Sequence, residues 1–252
     1  MSEPLVGRCI WVTRPPDQAA EWMARLSELG AQPVAASAIR ITLTPPESLI
    51  DDCAKATKAD WMIFTSVNGV KGFASAMRPA ATYSKVRIAC VGPITAQELS
   101  NIGLRARVVA ARTGASVNLA ERLDGVLFGL VYWFRGNLAD PGYESRLLSV
   151  GAERLVSVEA YRTTPEAINP TQLQEPDIIL LSSASTATSL AASLRGSTRE
   201  GWLTTKPVFA LGPQTLAAAR QEGMLIGGMA ERPTLDSLIE SILRHPIGAR
   251  DV

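Results

Sequence analysis

Short continuous apolar runs alternate along this chain with longer segments whose apolar residues recur at helical spacing. Arg8–Thr13 is the first such run and reads as a β-strand. Asp17 is a plausible N-cap, after which Ala20, Met23, Leu26 and Leu29 follow at helical intervals up to Gly30, which suits a C-terminal cap. Pro33–Ala36 is the next strand. Beyond the segment from Ile41 to Pro46, Ser48–Thr57 reads as helix, Trp61–Phe64 as a buried strand and Asn68–Met77 as helix. Arg87–Val91 is then a strand, Thr95–Ile102 a helix closed by Gly103, and Ser116–Leu123 ends this half of the chain. Strands apolar on successive residues, alternating with helices, predict an α/β fold whose parallel sheet carries helices on both faces. Ligands of such sheets bind beyond the carboxyl ends of the strands.

The same order is repeated in the second half. Gly92, Thr95 and Gly103 recur as Gly212, Thr215 and Gly223, each 120 positions later. Ile10-Trp-Val-Thr-Arg14 aligns with Val131-Tyr-Trp-Phe-Arg135, and Gly30-Ala31 with Gly151-Ala152, both 121 positions on. Ile63-Phe-Thr-Ser66 resembles Ile179-Leu-Leu-Ser182, 116 positions on, so a few loop residues differ between the copies. Two half-chains of one design are the economical explanation.

Composition narrows the function classes. A chain of 252 residues makes two modest domains or one large one. With 25 Lys+Arg against 24 Asp+Glu, it is not a basic coat for nucleic acid, and a charged fraction of 19% with 46% hydrophobic residues excludes disorder. The N-terminal residues contain no apolar run of secretory-signal length before Arg14. The longest apolar stretch, Gly125 to Phe134, is half of the ~20 residues a membrane helix needs and reads as a turn plus a buried strand. Cys9, Cys53 and Cys90 are odd in number and widely spaced, and His245 is the sole histidine, which argues against disulfides and zinc. A reduced, cytoplasmic protein is expected.

The turns after the apolar strands carry the candidate chemistry. Trp61–Phe64 runs into Thr65-Ser66-Val67-Asn68-Gly69, and Asp177–Leu181 into Ser182-Ser183-Ala184-Ser185-Thr186. Arg87–Val91 runs into Gly92-Pro93-Ile94-Thr95, and Val208–Leu211 into Gly212-Pro213-Gln214-Thr215. Each precedes a helix, so backbone N–H groups and hydroxyls converge where a carboxylate or phosphate could bind. Ser and Thr are also ordinary N-caps, and one such turn alone would be a cap. Four at matching places in two repeats point to a shared anionic ligand. Arg14 and Arg135 leave equivalent first strands, and Arg40 and Arg162 lie in equivalent segments; each suits either solvent or bidentate carboxylate contact.

Neither GxxxxGK[ST] nor a GxGxxG opening a helix after a strand is present, so no nucleotide site is expected. His245, beside Pro246, fits a helix end or tail. Without a second histidine or a carboxylate cluster, an enzyme of this sequence would work by shaping its substrate, with hydroxyls and one phenol as proton donors. Tyr161, in Val158-Glu-Ala-Tyr161-Arg162-Thr163, is the candidate phenol, although a Tyr in such a run commonly only packs.

Together, Val12-Thr-Arg14-Pro, Ile63-Phe-Thr-Ser66-x-Asn68-Gly-Val, Val91-Gly-Pro-x-Thr95-Ala, Arg135-Gly-Asn137, Tyr161-Arg-Thr163 and Gly212-Pro-x-Thr215 resemble the uroporphyrinogen-III synthase family. The resemblance runs from Arg8 to about Leu243 and rests on the order and spacing of motifs that are individually weak. It implies two similar parallel-sheet α/β domains with flanking helices, linked by a two-stranded antiparallel connection, with a cleft between them. Residues 1–38 plus 164–252 would form one domain and 39–163 the other, each taking its opening βαβ from one repeat and its remaining units from the other.

The implied reaction is cofactor-free and metal-free cyclisation of hydroxymethylbilane, a linear tetrapyrrole, to uroporphyrinogen III with inversion of ring D. Tyr161 matches the family tyrosine proposed to assist departure of the hydroxyl. Thr65, Ser66, Asn68, Thr95, Asn137, Ser182 or Ser183, and Thr215 match substrate-binding positions, with Arg14 and Arg135 as further ligands. The implied partners are the small-molecule substrate and a transient contact with the upstream hydroxymethylbilane synthase, with neither nucleic acid nor membrane, and the enzyme would be a monomer. The rival from another class is a two-lobed, non-catalytic binding or sensor protein for a small anion. A two-lobed glycosyltransferase-like enzyme is a third, disfavoured by the missing nucleotide motif and the short chain.

Overall fold

A computed structural model describes residues 5–110, 116–169 and 173–245. In chain order its elements are β1 (Cys9–Val12), α1 (Pro16–Glu28), β2 (Gln32–Ala35), β3 (Ile39–Leu43), α2 (Pro46–Ala56), β4 (Trp61–Phe64), α3 (Val67–Ala76), β5 (Arg87–Val91), α4 (Pro93–Asn101), β6 (Val108–Ala110) and α5 (Ser116–Leu123). Then come β7 (Leu130–Gly136), α6 (Gly142–Ser149), β8 (Arg154–Pro165), β9 (Ile178–Leu181), α7 (Ala184–Leu194), α8 (Trp202–Thr205), β10 (Val208–Ala210), α9 (Pro213–Gln221), β11 (Ile226–Met229) and α10 (Leu235–Arg244).

The chain divides into two compact units, Met1–Arg40 with Thr164–Val252 (unit 1) and Ile41–Thr163 (unit 2). The sheet of unit 1 has the order β11-β10-β9-β1-β2, with neighbouring strands parallel. The other sheet has the order β3-β8-β7-β4-β5-β6, parallel from β8 to β6. This is the expected α/β architecture. Hydrogen bonds from Glu166 N to Ala38 O and from Thr44 N to Ala160 O pair rising with falling positions, so β3 runs antiparallel to β8. Both passages of the chain between units lie in these two strands.

The sheets reveal an exchange. The centre of unit 1 pairs β1, from the first repeat, with β9, from the second; the centre of unit 2 pairs β7, from the second, with β4, from the first. In each sheet the strand order reverses direction at that central pair, the topological switch point where ligands of open α/β sheets bind.

Every central strand is buried on both faces because successive side chains feed different cores. In β1, Ile10 and Val12 join Trp22, Leu26, Phe209 and Leu238, while Cys9 and Trp11 join Leu190 and Trp202 on the other face. In β4, Met62 and Phe64 pack with Phe73, Tyr83 and Phe134, and Trp61 and Ile63 with Leu119, Trp133, Tyr143 and Leu147. All three cysteines are buried. Gly125 to Phe134 forms a turn and then β7, as its length suggested.

Several helix starts differ from the sequence reading for one reason. Pro16, Pro46, Pro93 and Pro213 each occupy the first helical turn, where the missing N–H costs nothing and the fixed φ is already helical. Hence α2 and α4 begin at proline, two residues ahead of Ser48 and Thr95. Asp17 is not the N-cap of α1. Pro15 holds that place and Asp17 sits in the first turn, where its charge suits the helix dipole. The buried face of α1 is Ala19, Trp22 and Leu26; Ala20 is exposed, and Met23 and Leu29 are partly buried at its margin.

Candidate active site

Glycines bring α3 hard against the strands of unit 2. A Cβ on Gly69 would lie 2.7 Å from the carbonyl oxygen of Phe134, and one on Gly72 would overlap that of Ala160. The turn between β4 and α3 therefore sits at the carboxyl ends of β7 and β8. Ser66 is the N-cap of α3, its Oγ accepting from Gly69 N at 3.1 Å. The same Oγ donates to the hydroxyl of Tyr161 at 3.1 Å. The hydroxyl of Thr65 accepts from the indole N–H of Trp133 at 3.4 Å. Thr65, Ser66, Asn68 and Tyr161 are all half-buried, partly open to solvent.

Tyr161 reaches Ser66 because β8 is bulged. Arg135 pairs with Glu159 but Gly136 pairs with Tyr161, leaving Ala160 as the extra residue. Val156, Val158 and Ala160 already face the core shared with Phe134, and the bulge turns Tyr161 to that side as well. Its ring lies over Gly136, where an added Cβ would stand 2.5 Å from Cζ. The tyrosine both packs against the core and presents its hydroxyl at the turn, so the two sequence readings of it are compatible.

Arg135 and Asn137 flank that glycine, and their own chain engages both. The amide of Asn137 is spent on one residue, donating to Thr163 O at 3.1 Å and accepting from Thr163 N at 2.7 Å. Arg135 lies over the ring of Trp133 at 5.5 Å and donates to Gly136 O at 3.2 Å. Its other terminal nitrogen stands 3.8 Å from Glu144, which also accepts from Ser157 Oγ at 2.5 Å. Thr95 and Thr215, at the third positions of α4 and α9, are buried to 4% and 5% exposure, facing inward in the described conformation.

In unit 1 the corresponding turn follows β9. Ser183 is the N-cap of α7 at φ −155° and ψ 161°, almost the angles of Ser66, −155° and 157°. Structural equivalence therefore pairs Ser66 with Ser183 and Thr65 with Ser182, 117 positions apart and one more than the sequence alignment used. Ser183 closes a capping box with Thr186, and its Oγ also meets Ser185 Oγ at 3.0 Å. Ser182 is half-buried beside it. Arg14 lies over Trp22 at 4.6 Å and reaches Gln18 Oε1 at 3.5 Å. Arg40 pairs with Glu166 and Arg162 with Glu159. His245 caps the end of α10, edge-on to Phe209, the helix-end role expected of it.

Sequence reasoning missed Gly136, Trp133 and Glu144. The Arg-Gly-Asn motif did contain the glycine, but its purpose needs the Tyr161 ring above it. Next to Trp133, burial pushes the Tyr143 phenol up. Among the described residues no group of three or more His, Cys, Asp or Glu side chains is placed to hold a metal ion.

Two open, parallel α/β units, each with a central strand pair drawn from both sequence repeats and a hydroxyl-bearing helix N-terminus at its switch point, define the class of protein, and one of them sets a phenol over a glycine there. A model of the family described as HEM4, uroporphyrinogen-III synthase HemD, matches residues 20–240. The chain belongs to that family. It is 32% identical over 109 residues to a porphyrin biosynthesis protein HemD of Ruminiclostridium josui, covering 41% of this chain and spanning 22% of that protein. Among solved structures it resembles a mutant uroporphyrinogen III synthase of Thermus thermophilus (TM-score 0.69, 20% identity, 95% of this chain and 98% of that one). It also resembles the uroporphyrinogen-III synthetase of Helicobacter pylori (TM-score 0.59, 14% identity, 93% and 97%). Those two likenesses establish the fold.

Proposed function

We propose that this protein is a uroporphyrinogen-III synthase, cyclising hydroxymethylbilane with inversion of ring D and loss of water. Family membership supports the reading, and the observation that carries it is the Tyr161 hydroxyl, held by Ser66 above Gly136 at the switch point of unit 2. Tyr161 gives its proton to the departing hydroxyl of the substrate, and the electron pair of the breaking C–O bond leaves with that oxygen as water. The pyrrole nitrogen feeds electrons into the new exocyclic double bond and releases its N–H proton, which restores the phenol. Ring D then attacks the resulting azafulvene through its substituted carbon, and the spiro intermediate fragments and recloses inverted. The protein's part is mostly to hold an improbable geometry.

Carboxylates of the substrate are bound by the turns Thr65-Ser66-Val67-Asn68 and Ser182-Ser183, by the helix N-termini of α4 and α9 at Thr95 and Thr215, and by Arg14 and Arg135. Asn137 acts by holding Thr163, two residues from Tyr161. The two units serve as the substrate-binding domains of a cytoplasmic monomer that receives its labile substrate in transient contact with the upstream synthase. No helix of the described residues is long and apolar enough to cross a membrane.

The test is incubation with enzymatically generated hydroxymethylbilane and separation of the isomers. Uroporphyrinogen III should dominate. Type I alone, the product of spontaneous closure, would refute the activity, and tight binding without turnover would support a non-catalytic binding protein instead.

A further inference from the structure

Ser66 and Gly136 act on the same atom from different sides. Ser66 Oγ accepts the Gly69 N–H at the start of α3. That bond, with the positive end of the helix dipole, draws electron density from the oxygen and makes its proton the better one to give away. The proton is directed at the Tyr161 oxygen, 3.1 Å off. A phenol that accepts this bond must turn its own proton elsewhere, because its oxygen carries only one. Gly136 supplies the room: a side chain there would occupy the ring's place, with Cβ 2.5 Å from Cζ and 2.9 Å from the hydroxyl oxygen. The backbone angles of Gly136 are not left-handed, so sterics with this ring are the constraint on that position.

We propose that Ser66 is a positioning residue for Tyr161, committing its own proton to the phenol oxygen so that the phenol proton points at the substrate, and that Gly136 exists to seat the ring for this contact. The proposal rests on the proton-donating role of Tyr161 given above and changes Ser66 from a carboxylate ligand into part of the donor. Two functions thus meet in one hydroxyl: capping α3 and orienting the acid. Ser183, on the same backbone in unit 1, has only the first.

The experiment separates the two. Glycine is nearly as good an N-cap as serine, with a stability cost of a few tenths of a kcal/mol, so Ser66→Gly keeps the helix and removes the donor. Its kcat for hydroxymethylbilane should fall about tenfold, the size of one lost hydrogen bond, with KM within about twofold. Ser66→Thr, which retains cap and proton, should recover most of the rate. In the Tyr161→Phe background, Ser66→Gly should cost nothing further, because the bond it removes no longer exists.

Gly136→Ala should cost a similar factor in kcat through displacement of the ring, again with KM within about twofold. The proposal is overturned if Ser66→Gly raises KM at unchanged kcat, the behaviour of a carboxylate ligand, or if its effect multiplies with that of Tyr161→Phe. A Tyr161→Phe enzyme at full rate would instead overturn the donor role of the tyrosine, and the proposal with it. If Tyr161→Phe is slow while Ser66→Gly and Gly136→Ala are both fast, the donor role stands and only the positioning claim falls.

Discussion

At the turn after β4 Ser66 caps α3, and at the turn after β9 Ser183 caps α7, with backbone angles that agree within a few degrees. Their hydroxyls have different fates. Ser183 is folded into a local ring of Ser185 and Thr186, whereas Ser66 reaches a strand residue, Tyr161, 95 positions away. The cause lies one and two turns further along each helix. Where α3 has Gly69 and Gly72, α7 has Thr186 and Ser189, so α7 needs room for side chains where α3 touches strand carbonyls. Close approach of helix to sheet brings a cap within reach of a phenol. Duplicated scaffolds can thus give two equivalent turns different hydrogen-bond partners by changing helix residues one and two turns away.

The strongest way to break this contrast is to remove the phenol. Tyr161→Phe should lower single-turnover cyclisation about 100-fold, the scale of general acid catalysis, with an unchanged denaturation midpoint. Next comes the close approach. Gly72→Ala puts a methyl into the Ala160 carbonyl, and urea unfolding should show a loss of about 1–3 kcal/mol, the cost of overpacking. Ser189→Gly, the reverse change in α7, should cost only about 0.5–1 kcal/mol.

The comparison is sharpened by Ser183→Ala. Losing that cap should cost about 1 kcal/mol of stability while kcat stays within about twofold; a large fall in kcat with little change in stability would show that the unit 1 turn has chemistry of its own. The smallest effect concerns pH. Burial pushes the thiols of Cys53 and Cys90, both in unit 2, from an ordinary 9.0 up to about 12 and about 11. An unfolded chain ionises first, so this contribution is complete below about pH 9 and fades as pH rises towards 11 and 12. Hydrogen exchange at about pH 8 and about pH 10, on either side of the ordinary thiol value, should show unit 2 losing protection faster than unit 1, and equal losses would contradict it.

Much of the fold could be read from the chain because it is written in local patterns. Trp61–Phe64 and Arg87–Val91 are strands with the expected ends, since their residues are apolar without interruption. Gly30 and Gly103 stop their helices at φ 83° and 78°, as glycines do. Strand ends located the candidate turns, and the family motifs named Tyr161. What stayed hidden depends on residues meeting across the ladder. The extra residue at Ala160 is defined only by the register of β8 on β7. The partnership of Arg135 with Glu144 needs α6 folded beside β7. Thr95 and Thr215 match cleft positions in sequence, but the prolines that begin their helices earlier place them on inward faces. Equivalence of Ser66 with Ser183 emerges from cap angles, where the letters Thr-Ser and Ser-Ser align equally well either way.

The exchange of strands between repeats carries a consequence for biosynthesis. β1 needs β9 as a neighbour, and Ile10 pairs with Ile178, 168 residues downstream. Through most of translation the first βαβ segment therefore has no sheet to join, while residues 41–163, a continuous stretch, acquire every strand of their parallel sheet in one uninterrupted passage. Unit 2 would be complete first, while the sheet of unit 1 waits for β9, β10 and β11 from the last third of the chain. A nascent chain stalled just beyond Pro165, the end of β8, would then hold one folded unit together with an unpaired, wholly apolar β1 for chaperones to guard.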